Sequence, residues 1–199
     1  MVKVKICGLT RLCDVEAVNV EKSDYIGFVF ADSRRKVTPQ QAKELRERLD
    51  KGIIPVGVFV NEPIEHICSL IQSGVIEMVQ LHGTENEEYI RGLKELTGKP
   101  VIKAVSVQRA GDVQKWAHTS ADYLLLDSKG GGTGRAFDWS LIGKADKPYF
   151  LAGGLDEANV TNAINQTSPF AVDISSGVET DGQKDPAKIN EFIRRVRHG

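Results

Sequence analysis

Short apolar runs recur at nearly even intervals along the chain, and each is followed by a more polar stretch. The runs have the length of buried strands and end at turn residues, which favours strands over helices. They span residues 2–6, 25–30, 54–60, 77–81, 101–105, 123–126, 149–151 and 170–174. Because their starts lie about 24 residues apart, the pattern predicts eight strand-then-helix units.

Helix-start signals between the runs agree with these units. Thr38, Pro39 and Gln41 form the pattern of a capping box with proline in the first turn. Further predicted helix starts are Asp14, Asn61 with Pro63, Asp138, Asp156, and Asp185 with Pro186. The chain is therefore expected to alternate strand and helix throughout.

The predicted fold is a (β/α)8 barrel with eight parallel strands and outer helices, formed by residues 1–199 as one catalytic domain. A doubly wound sheet is the alternative, but it would usually carry Gly-x-Gly-x-x-Gly after its first strand. That turn here has only Gly8, in the sequence Cys-Gly-Leu-Thr. No low-complexity stretch interrupts the series, so two domains are not expected.

Composition narrows the class of partner. The 199 residues carry 26 Lys plus Arg and 27 Asp plus Glu, interspersed along the chain, with a net charge of −1. This balance lacks the basic stripe of a nucleic-acid binder. No run approaches the roughly 18 apolar residues of a membrane span, and the start lacks a signal-peptide core. We therefore expect a cytoplasmic protein with a small-molecule partner.

The three cysteines, Cys7, Cys13 and Cys68, show no metal-ligand spacing, so free thiols and no metal site are expected. Cys7 follows the first strand and could act as a general base if its pKa is lowered. The alternative is a buried thiol that serves as a small hydrophobic side chain. Strand alternation places Lys3 and Lys5 on the same face, where a buried lysine needs a carboxylate partner or lowers the pKa of a neighbouring thiol.

Asp127 is the leading candidate for a reacting group. It ends the sixth apolar run and enters a loop that contains Gly130, Gly131, Gly132 and Gly134. Glycines allow the backbone to approach a ligand closely. The alternative is a mobile surface loop beside an ordinary solvated aspartate.

Other chemically selective residues also follow the predicted strands, where barrel enzymes place their active sites. The set comprises Cys7, Arg34, Arg35, Asn61, Gln80, His82, Ser106, Asp127, Gly153, Gly154, Asp173, Ser175, Ser176 and Gly177. The small residues after the last two strands, together with serine hydroxyls, indicate a phosphate site. Plain turn chemistry explains either cluster taken alone.

The chain resembles the phosphoribosylanthranilate isomerase family over essentially its whole length. The resemblance rests on Lys5-Ile6-Cys7-Gly8-Leu9-Thr10, Gly27-Phe28-Val29-Phe30 with Ser33 and Arg35, Val56-Gly57-Val58-Phe59-Val60-Asn61, Gln80-Leu81-His82-Gly83, Leu126-Asp127, Gly131-Gly132-Thr133-Gly134 with Phe137-Asp138-Trp139, Leu151-Ala152-Gly153-Gly154-Leu155, and Val172-Asp173 with Ser175-Ser176-Gly177-Val178-Glu179. Each motif is weak alone, but their order is specific.

The resemblance implies an Amadori rearrangement in tryptophan biosynthesis, without metal or cofactor. It implies that Asp127 is the general acid that protonates the furanose ring oxygen, and that Cys7 is the general base at C2. This chemistry requires an upward-shifted pKa for Asp127 and, for Cys7, a downward shift or help from the substrate.

The resemblance also implies a clamp at each end of the phosphosugar substrate. The phosphate is expected at Gly153, Gly154, Ser175, Ser176 and Gly177. Arg35 is expected to pair with the anthranilate carboxylate, unless it belongs to a solvated basic run. Asp173 is expected to orient an amine or hydroxyl. Gln80 and His82 either contact the substrate or have a structural role at the barrel rim. A monomer or a homodimer is expected.

Three rival functions remain. The related barrel isomerase of histidine biosynthesis is known to have aspartate where this chain has Cys7, so the thiol disfavours it. A non-catalytic phosphosugar binder and a redox-responsive protein are the others, and fold alone excludes neither. Turnover discriminates among them, because a binder has no rate to lose when Cys7 is replaced.

Overall fold

The computed structural model of the chain describes residues 1–128 and 137–199. Eight parallel strands form a closed barrel in chain order, with β1 hydrogen-bonded to β8. They are β1 (Lys3–Cys7), β2 (Tyr25–Val29), β3 (Ile54–Phe59), β4 (Met78–Leu81), β5 (Val101–Ser106), β6 (Tyr123–Asp127), β7 (Tyr149–Leu151) and β8 (Ala171–Ile174). The predicted barrel is confirmed, and each strand begins and ends within about a residue of its predicted bounds.

Helices surround the barrel. They are α1 (Leu12–Glu21), α2 (Pro39–Arg48), α3 (Ile64–Gln72), α4 (Glu87–Thr97), α5 (Val160–Thr167) and α6 (Pro186–His198). Short 3₁₀ helices occupy Gln114–Trp116, Trp139–Ile142 and Ser176–Val178, and a two-stranded hairpin, β9 (Glu179–Thr180) with β10 (Gln183–Lys184), precedes α6. In the described residues no helix is long and apolar enough to cross a membrane.

The prediction of an outer α-helix after every strand is wrong after β5, and residues 137–148 after β6 contain only a 3₁₀ helix. After β5, the Asp112 carboxylate accepts hydrogen bonds from the backbone N–H groups of Gln108 and Arg109 at 3.0 and 3.1 Å. Gly111 has a positive φ of 92° in the same turn. These local bonds, together with the i→i+3 backbone bonds of the 3₁₀ helix that follows, take the place of α-helical bonds.

Some of the predicted helix caps are confirmed, and others are wrong. The Thr38 capping box and the Asp185 cap are confirmed, since each side chain accepts a hydrogen bond from the first helical turn. Asp14 is not the cap of α1, which is Arg11. Asp14 lies inside the first turn, and its carboxylate accepts from the Arg11 backbone N–H at 3.0 Å. Asn159, rather than Asp156, occupies the cap position of α5.

The barrel interior has an apolar floor and a polar mouth. Inward side chains below the mouth form one buried cluster of Tyr25, Val56, Met78, Ile102, Leu125, Phe150 and Ala171, which Ala152 joins from the carboxyl end of β7. At the carboxyl ends of the strands, the inward positions carry buried Cys7, Gln80, Asp127 and Asp173. Because side chains alternate along a strand, the same strands that build the floor also deliver these polar groups to the mouth.

Candidate active site

One cavity of about 540 Å³ lies at the carboxyl ends of the strands. All of the predicted site residues line it: Cys7, Arg35, Gln80, His82, Asp127, Gly153, Gly154, Asp173, Ser175, Ser176 and Gly177. Asn61 and Arg34, which also follow predicted strands, are absent from its described lining. The glycines at positions 130, 131, 132 and 134 lie outside the described residues. Strand ends therefore bring the predicted groups to one place.

A second cavity of about 840 Å³ adjoins the first and shares Gly83, Ala104, Val105 and Ser106 with it. Its buried charges, Lys103 and Glu85, pair with each other at 2.7 Å. In the described residues no cluster of histidine, cysteine or acidic side chains has the grouping of a metal site. The smaller cavity holds the thiol of Cys7 together with the buried carboxyl groups of Asp127 and Asp173, so it is the candidate active site.

Asp127 is buried at the end of β6. Its Oδ1 atom accepts a hydrogen bond from the Ser128 backbone N–H at 2.7 Å. Burial raises the pKa of Asp127, and the hydrogen bonds from Ser128 only partly oppose this shift. The direction is the one that a general acid at neutral pH requires.

Gly153 sets the space beside Asp127. A Cβ atom at Gly153 would lie 2.7 Å from Oδ1 of Asp127 and 2.9 Å from the Ser128 backbone nitrogen, and its φ is +82°. We expect Gly153→Ala to displace the carboxyl group and to lower kcat by about 10- to 100-fold, because small misplacements of reacting groups are costly.

Gly98→Ala is the matched control for that variant. Gly98 also has a positive φ, 61°, but nothing lies within 4 Å of its Cβ position. It should lose about 1–2 kcal/mol of stability with unchanged kcat. Steady-state kinetics and thermal denaturation of both variants check this, and equal kcat values would show that Gly153 does not position Asp127.

Cys7 is buried at the end of β1. A Cβ atom at Gly27, the neighbouring position on β2, would lie 2.6 Å from Sγ, so this glycine makes room for the thiol. Burial raises the pKa of Cys7, although the charges of Lys5 and Lys184 work in the opposite direction. The predicted downward shift in the pKa of Cys7 is therefore not seen in the protein alone. Of the two predicted alternatives, this leaves stabilisation of the thiolate by the bound substrate.

Lys5 has the carboxylate partner that its inward position requires. Its Nζ atom lies 2.9 Å from Oδ1 of Asp173, and both side chains are buried. Burial lowers the pKa of Lys5, but attraction to Asp173 outweighs it, and the net shift is upward. A fixed positive charge therefore lies next to Cys7 on the same face of β1.

His82 and Gln80 contact each other on β4 and its loop, with 3.0 Å between Gln80 Nε2 and His82 Nδ1. His82 Nε2 lies 3.8 Å from Oδ2 of Asp127, too far for a hydrogen bond. Burial lowers the pKa of His82, which favours the neutral ring. The two side chains thus lie next to Asp127, and the Gln80 amide holds the His82 ring in place.

The small residues after β7 and β8 pack closely against each other. A Cβ atom at Gly177 would lie 2.1 Å from the Leu155 carbonyl oxygen, so only glycine fits there. The Ser175 hydroxyl donates to the Cys7 carbonyl oxygen at 2.9 Å. Its proton is therefore already used, and Ser175 is better placed to fix this loop beside Cys7 than to donate to a phosphate.

The Arg35 side chain is largely buried and forms an ion pair. Its guanidinium pairs with Glu179, which in turn pairs with Lys184. Sequence reasoning assigned no role to Glu179 or Lys184, since both lie beyond the strand ends, in the hairpin before α6. For Glu179 a signal was available, because it ends the motif Ser175-Ser176-Gly177-Val178-Glu179 on which the resemblance rests.

The fold and this mouth define a (β/α)8-barrel enzyme with an acid and a thiol at the carboxyl ends of its strands. Residues 4–195 match the family model of N-(5'-phosphoribosyl)anthranilate (PRA) isomerase. A relative of that name from Endomicrobium trichonymphae is 47% identical over 201 residues, covering 99% of each chain. The chain belongs to the N-(5'-phosphoribosyl)anthranilate isomerase family.

Solved structures agree with this assignment. The phosphoribosylanthranilate isomerase of Thermotoga maritima superposes with a TM-score of 0.91 at 39% identity over 99% of both chains. Another solved isomerase of this kind, in complex with reduced 1-(o-carboxyphenylamino)-1-deoxyribulose 5-phosphate, gives 0.88 at 38% identity over 99% of both chains. The family and fold predicted from the sequence are confirmed.

Proposed function

We propose that this chain converts N-(5'-phosphoribosyl)anthranilate, an aminoaldose, to 1-(2-carboxyphenylamino)-1-deoxyribulose 5-phosphate in tryptophan biosynthesis, with Asp127 as acid and Cys7 as base. The observation that carries the proposal is that these two groups line one cavity in a chain of this isomerase family. The product named here has the carbon skeleton of the reduced compound bound to the solved relative.

Asp127 opens the sugar ring in the first step. Its Oδ1 accepts from the backbone, so its proton belongs on Oδ2. Transfer of that proton to the furanose oxygen lets the C1–O bond break, with the electron pair going to oxygen. The nitrogen lone pair then forms the C1=N bond of a protonated Schiff base. The upward shift in the pKa of Asp127 favours the protonated form that this step requires.

Cys7 acts in the second step. Its thiolate takes the C2 proton, and the C2–H electron pair forms the C1=C2 bond of an enolamine as the C=N pair returns to nitrogen. Protonation at C1 and loss of the hydroxyl proton then give the ketone. The cationic Schiff base, together with Lys5 and Lys184, favours the thiolate and so offsets the burial that raises the Cys7 pKa.

Substrate binding completes the proposal. Gly153, Gly154, Ser176 and Gly177 line the side of the cavity expected to take the phosphate, with Ser175 fixing their loop. Asp173, held by Lys5, is placed to accept a hydrogen bond from a substrate amine or hydroxyl. His82 and Gln80 lie next to Asp127.

We further propose that residues 1–199 act as one catalytic domain. Cytoplasmic location and a monomer or homodimer stay predictions.

Turnover of freshly formed phosphoribosylanthranilate, followed by loss of its anthranilate-type fluorescence, tests the function. We expect the protein as it exists to convert the substrate without added metal or cofactor. Absence of turnover would contradict the proposal. Retained binding without turnover would favour the non-catalytic phosphosugar binder.

Arg35 is proposed to bind the anthranilate carboxylate through its guanidinium. Arg35→Ala should raise KM by about 10- to 100-fold with a smaller change in kcat, because a ground-state contact to a charged group is lost. Arg34→Ala is the control, since Arg34 is 58% exposed and does not line the cavity. Steady-state kinetics measure both, and unchanged kinetics of Arg35→Ala would remove this role.

A further inference from the structure

We propose that Glu179 is a positioning residue for the substrate carboxylate, because it holds one edge of the Arg35 guanidinium. This inference rests on the proposed function. Arg35 Nε donates to Oε1 of Glu179 at 2.6 Å, and Arg35 Nη2 donates to Oε2 at 2.9 Å. The Glu179 side chain is 5% exposed and that of Arg35 is 14% exposed. The contact is therefore a partly buried, two-bond fork rather than a surface ion pair.

The two hydrogen bonds to Glu179 determine which N–H groups of Arg35 can bind the substrate carboxylate. A guanidinium carries five N–H donors, and Glu179 uses the edge formed by Nε and Nη2. Within the described residues the guanidinium makes no other side-chain hydrogen bond. The end formed by Nη1 and the second Nη2 hydrogen stays available. A carboxylate in the cavity must therefore bind end-on, which fixes both its position and its direction.

Glu179 also connects Arg35, which follows β2, to the loop that follows β8. Lys184 Nζ donates to Oε1 of Glu179 at 2.7 Å and to the Ser175 carbonyl oxygen at 2.9 Å. Ser175 in turn donates to the carbonyl oxygen of Cys7. One carboxylate therefore restrains the guanidinium proposed for one end of the substrate and the loop proposed for the other.

The charges of this cluster suit an anionic ligand. Arg35 and Lys184 contact the single carboxylate of Glu179 at 2.6 and 2.7 Å, and both are far less exposed than its third partner, Arg34. Two largely buried positive charges and one negative charge leave an excess of one positive charge beside the cavity. Glu179 thus orients Arg35 without cancelling its attraction for the carboxylate of the substrate.

The Glu179→Gln variant tests the inference. An amide keeps the shape but replaces one acceptor oxygen by an NH2 group, which would face the donors of Arg35 or Lys184. We expect KM to rise about tenfold or more and kcat to change by less than about threefold, since reacting groups are not touched. Arg34→Ala is the control, because it removes the exposed partner of Glu179 and leaves the fork intact.

Two further readouts separate positioning from a purely structural role. In an Arg35→Ala background, Glu179→Gln should raise KM no further, because the two residues act as one unit. Binding of the reduced product should weaken in Glu179→Gln, whereas binding of the same compound without its carboxyl group should not. Equal weakening of both ligands, or a lower melting temperature with unchanged KM, would overturn the inference.

A second variant covers the case in which the glutamine variant does not fold. Glu179→Asp keeps the charge but shortens the side chain by one methylene, so both bonds of the fork cannot form together. It should show the same rise in KM, and wild-type KM would overturn the inference. If the wild type turns over and Arg35→Ala raises KM but Glu179→Gln does not, only this inference is wrong. Absence of wild-type turnover removes the proposed function itself.

Discussion

Cys7→Ser should lower kcat by about 10²- to 10⁴-fold, the range typical for loss of a positioned general base. A serine hydroxyl holds its proton far more strongly than a thiol, so the nearby charge of Lys5 cannot produce a usable base. Burial already raises the pKa of Cys7, which leaves no margin for a weaker acid. KM should change little, because the thiol is not a binding group.

Cys13→Ser is the control for this prediction, because Cys13 is exposed on α1, away from the cavity. It should retain wild-type kcat and KM. A redox role would instead give oxidation-dependent activity that Cys7→Ser abolishes. If Cys7→Ser turned over at the wild-type rate, the isomerase assignment would stand and Cys7 would not be the base.

Asp127→Asn should lower kcat by a similar factor, about 10²- to 10⁴-fold. The amide has nearly the shape of the protonated acid and can still contact Ser128, but it cannot deliver a proton to the ring oxygen. Binding of the reduced product should be retained within a few-fold. Because only the proton is lost, the effect should appear in kcat rather than in KM.

Asp146→Asn provides the matched control for Asp127→Asn. Asp146 is about half exposed, pairs with Lys144 at 3.2 Å and lies before β7, at the end of the barrel away from the mouth. Its replacement should leave kcat unchanged, since exposed ion pairs contribute little. Wild-type kcat in Asp127→Asn would instead assign ring opening to another group.

The strands could be predicted from the sequence because a parallel strand in a barrel is buried on both faces. An apolar run such as 123–126 is therefore visible without knowledge of the fold. The segment after β5 could not be predicted in the same way. Two of its backbone N–H groups donate to the carboxylate of Asp112, and a side chain that competes with a helix gives no periodic signal.

The candidate site was predictable as far as strand ends determine it. Alternation along β1 placed Lys5 inside the barrel, but its partner Asp173 is 168 residues away and follows only from closure of β1 on β8. Glu179 and Lys184 contact the cavity residues Arg35 and Ser175 from a hairpin whose path the sequence does not reveal. The pKa of Cys7 likewise depends on the depth of burial, which residue type alone does not give.

The most direct test of the central claim is the isotope effect on kcat/KM with phosphoribosylanthranilate deuterated at C2. It should be measured on wild type, Cys7→Ser and Asp127→Asn. Loss of the base makes removal of the C2 proton rate-limiting, so Cys7→Ser should show a clear primary effect. Loss of the acid makes ring opening rate-limiting, so Asp127→Asn should show an effect close to one. The reverse assignment, or the same effect in both variants, would contradict the division of roles between Cys7 and Asp127.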